Sequence, residues 1–128
     1  MTASLRAWAE GLLACEAAVE LLIGHRCWLD REDFLALAVE CLDDGVRPMA
    51  ALGWAAAVTA LDTDRLPCSG SDAQMLRLAA GIAGGVPVDL GDALSGLDRH
   101  NAALVAAAVV HAAGHPGLAA WPTDTGIS

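Results

Sequence analysis

The chain contains no lysine and no tyrosine, and Phe34 is its single phenylalanine. Without lysine there is no Schiff-base chemistry, and without tyrosine there is no phenolic acid. A nucleophile would have to be serine or cysteine, and an acid or base would have to be histidine, aspartate or glutamate. No motif arranges these residue types into a familiar active site. We therefore expect no catalysis and no cofactor.

Positive charge is scarce as well. The seven basic residues are all arginines, spread singly along the chain, and 16 acidic residues give a formal net charge of −9. Affinity for nucleic acids comes largely from basic residues that neutralise phosphates, and binding to anionic lipid headgroups has the same requirement. The composition argues against both kinds of partner.

The sequence also lacks a long apolar run and a secretory signal. The apolar run over residues 48–61 is shorter than the ~20 residues that cross a bilayer. Glu10, Glu16 and Glu20 interrupt the first apolar segment, which is the wrong composition for a signal peptide. We expect a cytoplasmic protein without a membrane span, whose four cysteines are reduced thiols.

Apolar residues dominate the chain, at 55 per cent of the sequence against about 45–50 per cent in an average globular protein. They recur at helical spacing, and the alternation typical of strands does not persist. The first helix is predicted over residues 4–23. N-cap signals at Asp30, Ser71, Asp89 and Asp98 predict the starts of later helices.

These segments predict an all-α fold, a compact bundle of five to six helices. The helices form a single domain over residues 1–121, and residues 122–128 are predicted to be a frayed tail. The bundle is expected to be large enough to bury a core of its own.

Two predicted helices, over residues 48–61 and 102–113, are nearly wholly apolar. A helix that is apolar on every side must be buried on every side. We therefore expect these two helices to pair at the centre of the bundle. A chain with six helices can surround one such helix but hardly two, so a second copy, another protein or an apolar ligand should cover the remainder.

This excess of apolar surface favours a function in protein–protein association, as a homodimer, an adaptor or a regulatory partner. Isologous dimers are the commonest solution to such an excess. The residues predicted to form the interface are apolar or small and come from three predicted helices: Trp8, Leu12, Gly53, Trp54, Ala106 and Val110.

The alternative hypothesis is a helical pocket protein, or a small enzyme, that binds an apolar small molecule. Its pocket would be formed by His25, Trp28, Cys68 and His111. A metal site is not expected, because His25 and Cys27 form a single close pair of ligands whereas zinc sites usually have two.

Overall fold

The computed structural model describes residues 1–43 and 45–122. Within these residues the chain forms seven α-helices, one two-stranded antiparallel sheet and short 3₁₀ turns at Trp28–Asp30 and Pro116–Leu118. The prediction of a mostly helical protein is confirmed, whereas the prediction of an all-α fold without strands is wrong. The elements are α1 (Thr2–Ala9), α2 (Leu13–His25), α3 (Glu32–Ala38), β1 (Val39–Asp43), β2 (Pro48–Leu52), α4 (Trp54–Asp62), α5 (Gly70–Ala83), α6 (Leu90–Leu94) and α7 (Arg99–Ala112).

Helix α2 is the centre of the fold. It packs between α5 and α7 and also contacts α1. Its buried residues are mostly small or aliphatic: Cys15, Ala17, Ala18, Val19, Leu21 and Leu22. The hydrophobic core continues from this helix to Trp28 and Phe34, whose rings are fully buried and lie 5.3 Å apart.

The prediction that residues 48–61 and 102–113 pair at the centre is wrong. Helix α4 packs on α3 and α5, whereas α7 packs mainly on α2. Both helices expose small side chains, such as Ala55 on α4 and Ala106 on α7. Exposing a methyl group costs little, because the hydrophobic effect scales with the apolar area in contact with water. A helix rich in alanine therefore does not need burial on every side.

The predicted helix over residues 48–61 is also interrupted, because its first part is strand β2. Asp43 pairs with Pro48 and Val39 with Leu52. The sequence between the strands contains an Asp-Gly pair, a strong hairpin signal, and Gly45 has a φ of +82° that suits glycine. Ala50 and Leu52 of β2 face the core, and β2 packs on α1.

The predicted first helix over residues 4–23 is split into α1 and α2. Gly11 lies between them with a φ of +90°, which a right-handed helix does not contain. Gly11 thereby redirects the chain, so Trp8 and Leu12 do not lie on one continuous helix. Leu12 is 64 per cent exposed as a result.

The predicted N-caps at Asp89 and Asp98 are confirmed: their carboxylates accept hydrogen bonds from the amides of Asp92 and Asn101. Helix α5 is capped by Ser69 instead of Ser71, and Ser69 Oγ accepts from the amide of Asp72 at 3.1 Å.

No helix in the described part of the chain is long and apolar enough to cross a membrane. The predicted frayed tail, residues 122–128, lies outside the described residues except for Pro122.

Close packing of α2 on α7 generates a testable prediction at Gly24. A Cβ atom added to Gly24 would overlap Leu104 Cδ2, and Leu104 is buried. We expect Gly24→Ala to lower the free energy of unfolding by roughly 1–3 kcal/mol through overpacking. In a Leu104→Ala background, which removes the overlapping atoms, the same change should be nearly neutral. Urea unfolding of the four proteins measures this coupling, and an equal cost in both backgrounds would contradict it.

Candidate functional site

Two groups of polar side chains lie at opposite ends of the α2–α7 pair. The helices are antiparallel, since Glu16 near the start of α2 contacts His111, and His25 at its end contacts Asn101. His25 lies nine positions after Glu16 in the sequence, which corresponds to about 14 Å along a helix. The two groups are therefore separate candidate sites.

The first site is a groove of about 680 Å³ between α1, α2, the end of α7 and the segment that follows α7. This volume falls within the roughly 300–1,000 Å³ that is usual for small-molecule pockets. Ala3, Ala7 and Trp121 are among the residues that give the groove apolar surface. The groove is open to solvent and therefore accessible to a ligand.

Glu16 and His111 meet within the groove. His111 Nε2 lies 2.9 Å from Glu16 Oε1, and the amide of Gly11 donates to Glu16 Oε2 at 3.0 Å. The hydrogen bond from His111 and then that from Gly11 lower the pKa of Glu16 below its usual value. The ring of Trp121 stands edge-on to His111, with 6.2 Å between ring centroids. Glu16 is thus ionised at neutral pH and held in place from two sides.

The other charged residues of the groove form ion pairs. Arg6 binds both carboxylate oxygens of Glu20, at 2.7 and 3.0 Å, and Arg47 binds Glu10 at 2.9 Å. These pairs connect α1 to α2 and to the hairpin loop. The charges of the groove largely balance one another, so they do not select a strongly ionic ligand.

The second site is a cluster around His25, which we call the His25 cluster and define as His25, Cys27, Asp72 and Asn101. His25 Nδ1 lies 3.0 Å from Asn101 Oδ1, and His25 Nε2 lies 3.0 Å from Asp72 Oδ1. Asn101 is only 5 per cent exposed and is the buried polar residue of the described core. The cluster joins the end of α2 to the first turns of α5 and α7.

Two thiols lie at or near the His25 cluster, and both are poor nucleophiles. Desolvation, followed by the negative charge of Asp72, raises the pKa of Cys27 to about 11. The same two causes raise the pKa of Cys68. A catalytic cysteine needs a lowered pKa, because the thiolate is the reactive form. Both thiols are protonated at neutral pH, and the geometry gives no support for cysteine–histidine catalysis.

The four residues of the predicted pocket do not share one cavity. His25 and Trp28 are brought together by Asp72, whose carbonyl oxygen accepts a hydrogen bond from Trp28 Nε1 at 3.0 Å. Cys68 is close enough to Asp72 to sense its charge. His111 instead lies in the groove at the other end of α2.

Sequence reasoning missed Asp72, Asn101, Glu16 and Trp121 as members of the two sites. One signal was available, since Asn101 is the sole asparagine of the chain and directly precedes the apolar run over residues 102–110. The role of Asp72 could not be found locally, because it lies 47 residues from His25 in the sequence.

The residues predicted to form an interface lie on several elements. Trp8 and Trp54 are half-buried against the core. Gly53 caps the start of α4, and a Cβ there would meet only ordinary contacts. The remaining three are Leu12 and Ala106, both exposed, and Val110, half-buried. Their role in an interface stays a prediction.

Comparison with protein-family models, with characterised proteins and with solved structures finds no match for this chain. Its function is therefore inferred from the groove and the His25 cluster. The groove has the size of a ligand site, whereas the His25 cluster has the donor atoms of a metal site.

The lowered pKa of Glu16 predicts a specific pH dependence of stability. Glu16 binds its proton more weakly in the folded protein than in the unfolded chain. The ionised carboxylate therefore stabilises the fold above the ordinary glutamate range, near pH 4. This stabilisation is lost as the pH falls below that range. Glu16→Gln should therefore lower the free energy of unfolding at pH 7 and make little difference at pH 3. Urea unfolding at several pH values tests this, with the exposed Glu40→Gln as the control. A deficit that does not vary with pH would contradict the prediction.

Proposed function

We propose that this protein binds a small, mostly apolar molecule in the groove between α1, α2 and the end of α7. The observation that carries the proposal is the groove of about 680 Å³, whose apolar surface is bordered by ion pairs. A large concave site with a few convergent polar groups is the usual form of a ligand pocket.

The groove favours an uncharged ligand with an apolar body and one polar group. Ala3 and Ala7 offer small apolar contacts, and Trp121 adds an aromatic wall. Glu16 and His111 supply one polar position beside that wall. A strongly charged ligand would have to disrupt an existing ion pair, which makes it a weaker candidate.

Binding is favoured over catalysis at this site. The described residues that line the groove include no serine, threonine or cysteine. The described lining therefore offers none of these side chains as a nucleophile for covalent catalysis. Glu16 and His111 bind each other, which suits recognition of a polar group by hydrogen bonding.

The proposal predicts saturable binding of a neutral aromatic probe such as indole. Amide chemical shifts of the ¹⁵N-labelled protein should change for residues of the groove, including Glu16 and Val19. Ala7→Trp should fill the groove and weaken indole binding by at least about tenfold, equivalent to about 1.4 kcal/mol. The control is Ala55→Trp, which adds the same side chain to the exposed face of α4.

Two results would count against a ligand groove. One is an indole response that does not saturate or that maps to residues away from the groove. The other is equal affinity in the wild type and Ala7→Trp, with both proteins folded by circular dichroism.

Self-association remains the second candidate function, and the outer face of α7 favours it. Ala102, Ala106 and Val109 lie three or four residues apart, so they share one face, and all three are exposed. Val109 alone is 53 per cent exposed. Association ranks second because one copy of the chain already buries a core built on α2.

If this face forms a homodimer, Ala106→Arg should convert the dimer to a monomer, because a buried unpaired charge strongly disfavours an interface. Sedimentation equilibrium over a range of concentrations measures the mass. Ala55→Arg on α4 is the matched control and should leave the dimer intact. A wild-type protein that stays monomeric throughout, or a dimer that Ala106→Arg does not disturb, would exclude this face.

A further inference from the structure

The His25 cluster contains three side chains that metal ions commonly bind. The ligand atoms of His25, Cys27 and Asp72 all lie within 4.8 Å of one another. They comprise one imidazole nitrogen, one thiol sulfur and one carboxylate oxygen, which is a donor set that suits zinc. Two come from the end of α2 and the turn after it, and the third comes from the first turn of α5.

The orientation of His25 is that of a metal ligand. Bound histidines usually donate their second ring N–H to a carbonyl or carboxylate oxygen, which fixes the tautomer. Here Nδ1 lies 3.0 Å from Asn101 Oδ1, to which it can donate its N–H. In the metal-free chain Nε2–H donates to Asp72 Oδ1 at 3.0 Å, and a bound metal ion would take the place of that proton. Asn101 is buried, so its position is fixed by the core and not by solvent. This buried amide is a separate observation that fits a ligand role for Nε2.

Asp72 is also held in place by its own backbone. Its amide donates to Ser69 Oγ, and its carbonyl oxygen accepts from the indole of the fully buried Trp28. Two ligand atoms of a tetrahedral zinc ion lie about 3.3–3.5 Å apart, as its bond lengths of about 2.0–2.2 Å require. The distance of 3.0 Å between His25 Nε2 and Asp72 Oδ1 has to widen by only a few tenths of an ångström.

We infer that His25 Nε2, Cys27 Sγ and a carboxylate oxygen of Asp72 form a site for a thiophilic divalent cation, of which Zn²⁺ is the leading candidate. On binding, the Cys27 S–H bond and the His25 Nε2–H bond break, the sulfur–metal and nitrogen–metal bonds form, and the displaced protons leave the two ligand atoms for Nδ1 or solvent, with no change in oxidation state. The thiolate and the carboxylate together balance the charge of the ion. Water completes the coordination, and the site does not depend on the groove.

Cobalt(II) is a suitable probe, because a thiolate bound to Co²⁺ gives a charge-transfer absorption in the near ultraviolet. We expect the reduced, metal-free full chain to develop this band and to saturate at one equivalent of Co²⁺, with Zn²⁺ displacing it. Cys27→Ser should abolish the band. The controls Cys41→Ser, on β1, and Cys68→Ser, outside the three ligands, should retain it.

A second variant keeps the inference testable if Cys27→Ser fails to fold. Asp72→Asn preserves the shape of the side chain and should weaken Co²⁺ binding by at least about tenfold, with the fold monitored by circular dichroism. No saturable band in the folded wild type would overturn the site. A band that persists in folded Cys27→Ser, or one that requires Cys68 instead of Cys27, would overturn it as well.

Discussion

The close packing of α2 against its neighbours is the constraint on which the rest of this structure depends. Ala17 and Ala18 are completely buried, and their small side chains let α5 and α7 approach the helix on different sides. At the end of α2, Gly24 provides room for Leu104 of α7. The register between α2 and α7 is thereby fixed by shape, because a well-packed interior tolerates little change in volume.

This register determines where polar chemistry can occur. Once α2 and α7 are aligned, Glu16 meets His111 at one end and His25 meets Asn101 at the other. A buried polar group without a hydrogen-bond partner would lower the free energy of unfolding by about 1–3 kcal/mol. Polar atoms buried in the core therefore need contacts of this kind. Within the described residues, every buried side-chain nitrogen and oxygen has a hydrogen-bond partner. Packing and polar pairing therefore specify the same arrangement.

The sequence predicted those parts of the fold that depend on local chemistry. Asp89 and Asp98 begin helices because their carboxylates can reach amides three residues on, and the helical class follows from the spacing of apolar residues. The hairpin was missed because apolar residues before and after the Asp-Gly pair fit a helix as well as a strand. The break at Gly11 was missed because a single glycine inside a periodic pattern does not reveal its φ angle.

The two sites could be predicted only in part, and the reason is the difference between local and distant contacts. His25, Trp28 and His111 are conspicuous residue types, and sequence reasoning selected them. Their partners are set by tertiary packing, with His111 separated from Glu16 by 95 residues. No periodicity within one helix could identify that pair. A candidate list drawn from residue types therefore contained members of both sites and merged them into one pocket.

The same reasoning explains why a high apolar content does not by itself imply a partner protein. Counting alanine as hydrophobic makes α4 and α7 resemble helices that must be enclosed, yet each methyl group contributes little free energy when it is buried. The large side chains Trp28 and Phe34 are fully enclosed by a single copy of the chain, while the exposed apolar positions on α4 and α7 are mostly alanine. The driving force for association is thus smaller than the composition implies. For that reason, we base the proposed function on the groove, with its Trp121 wall and its ion pairs, and not on the apolar fraction of the sequence.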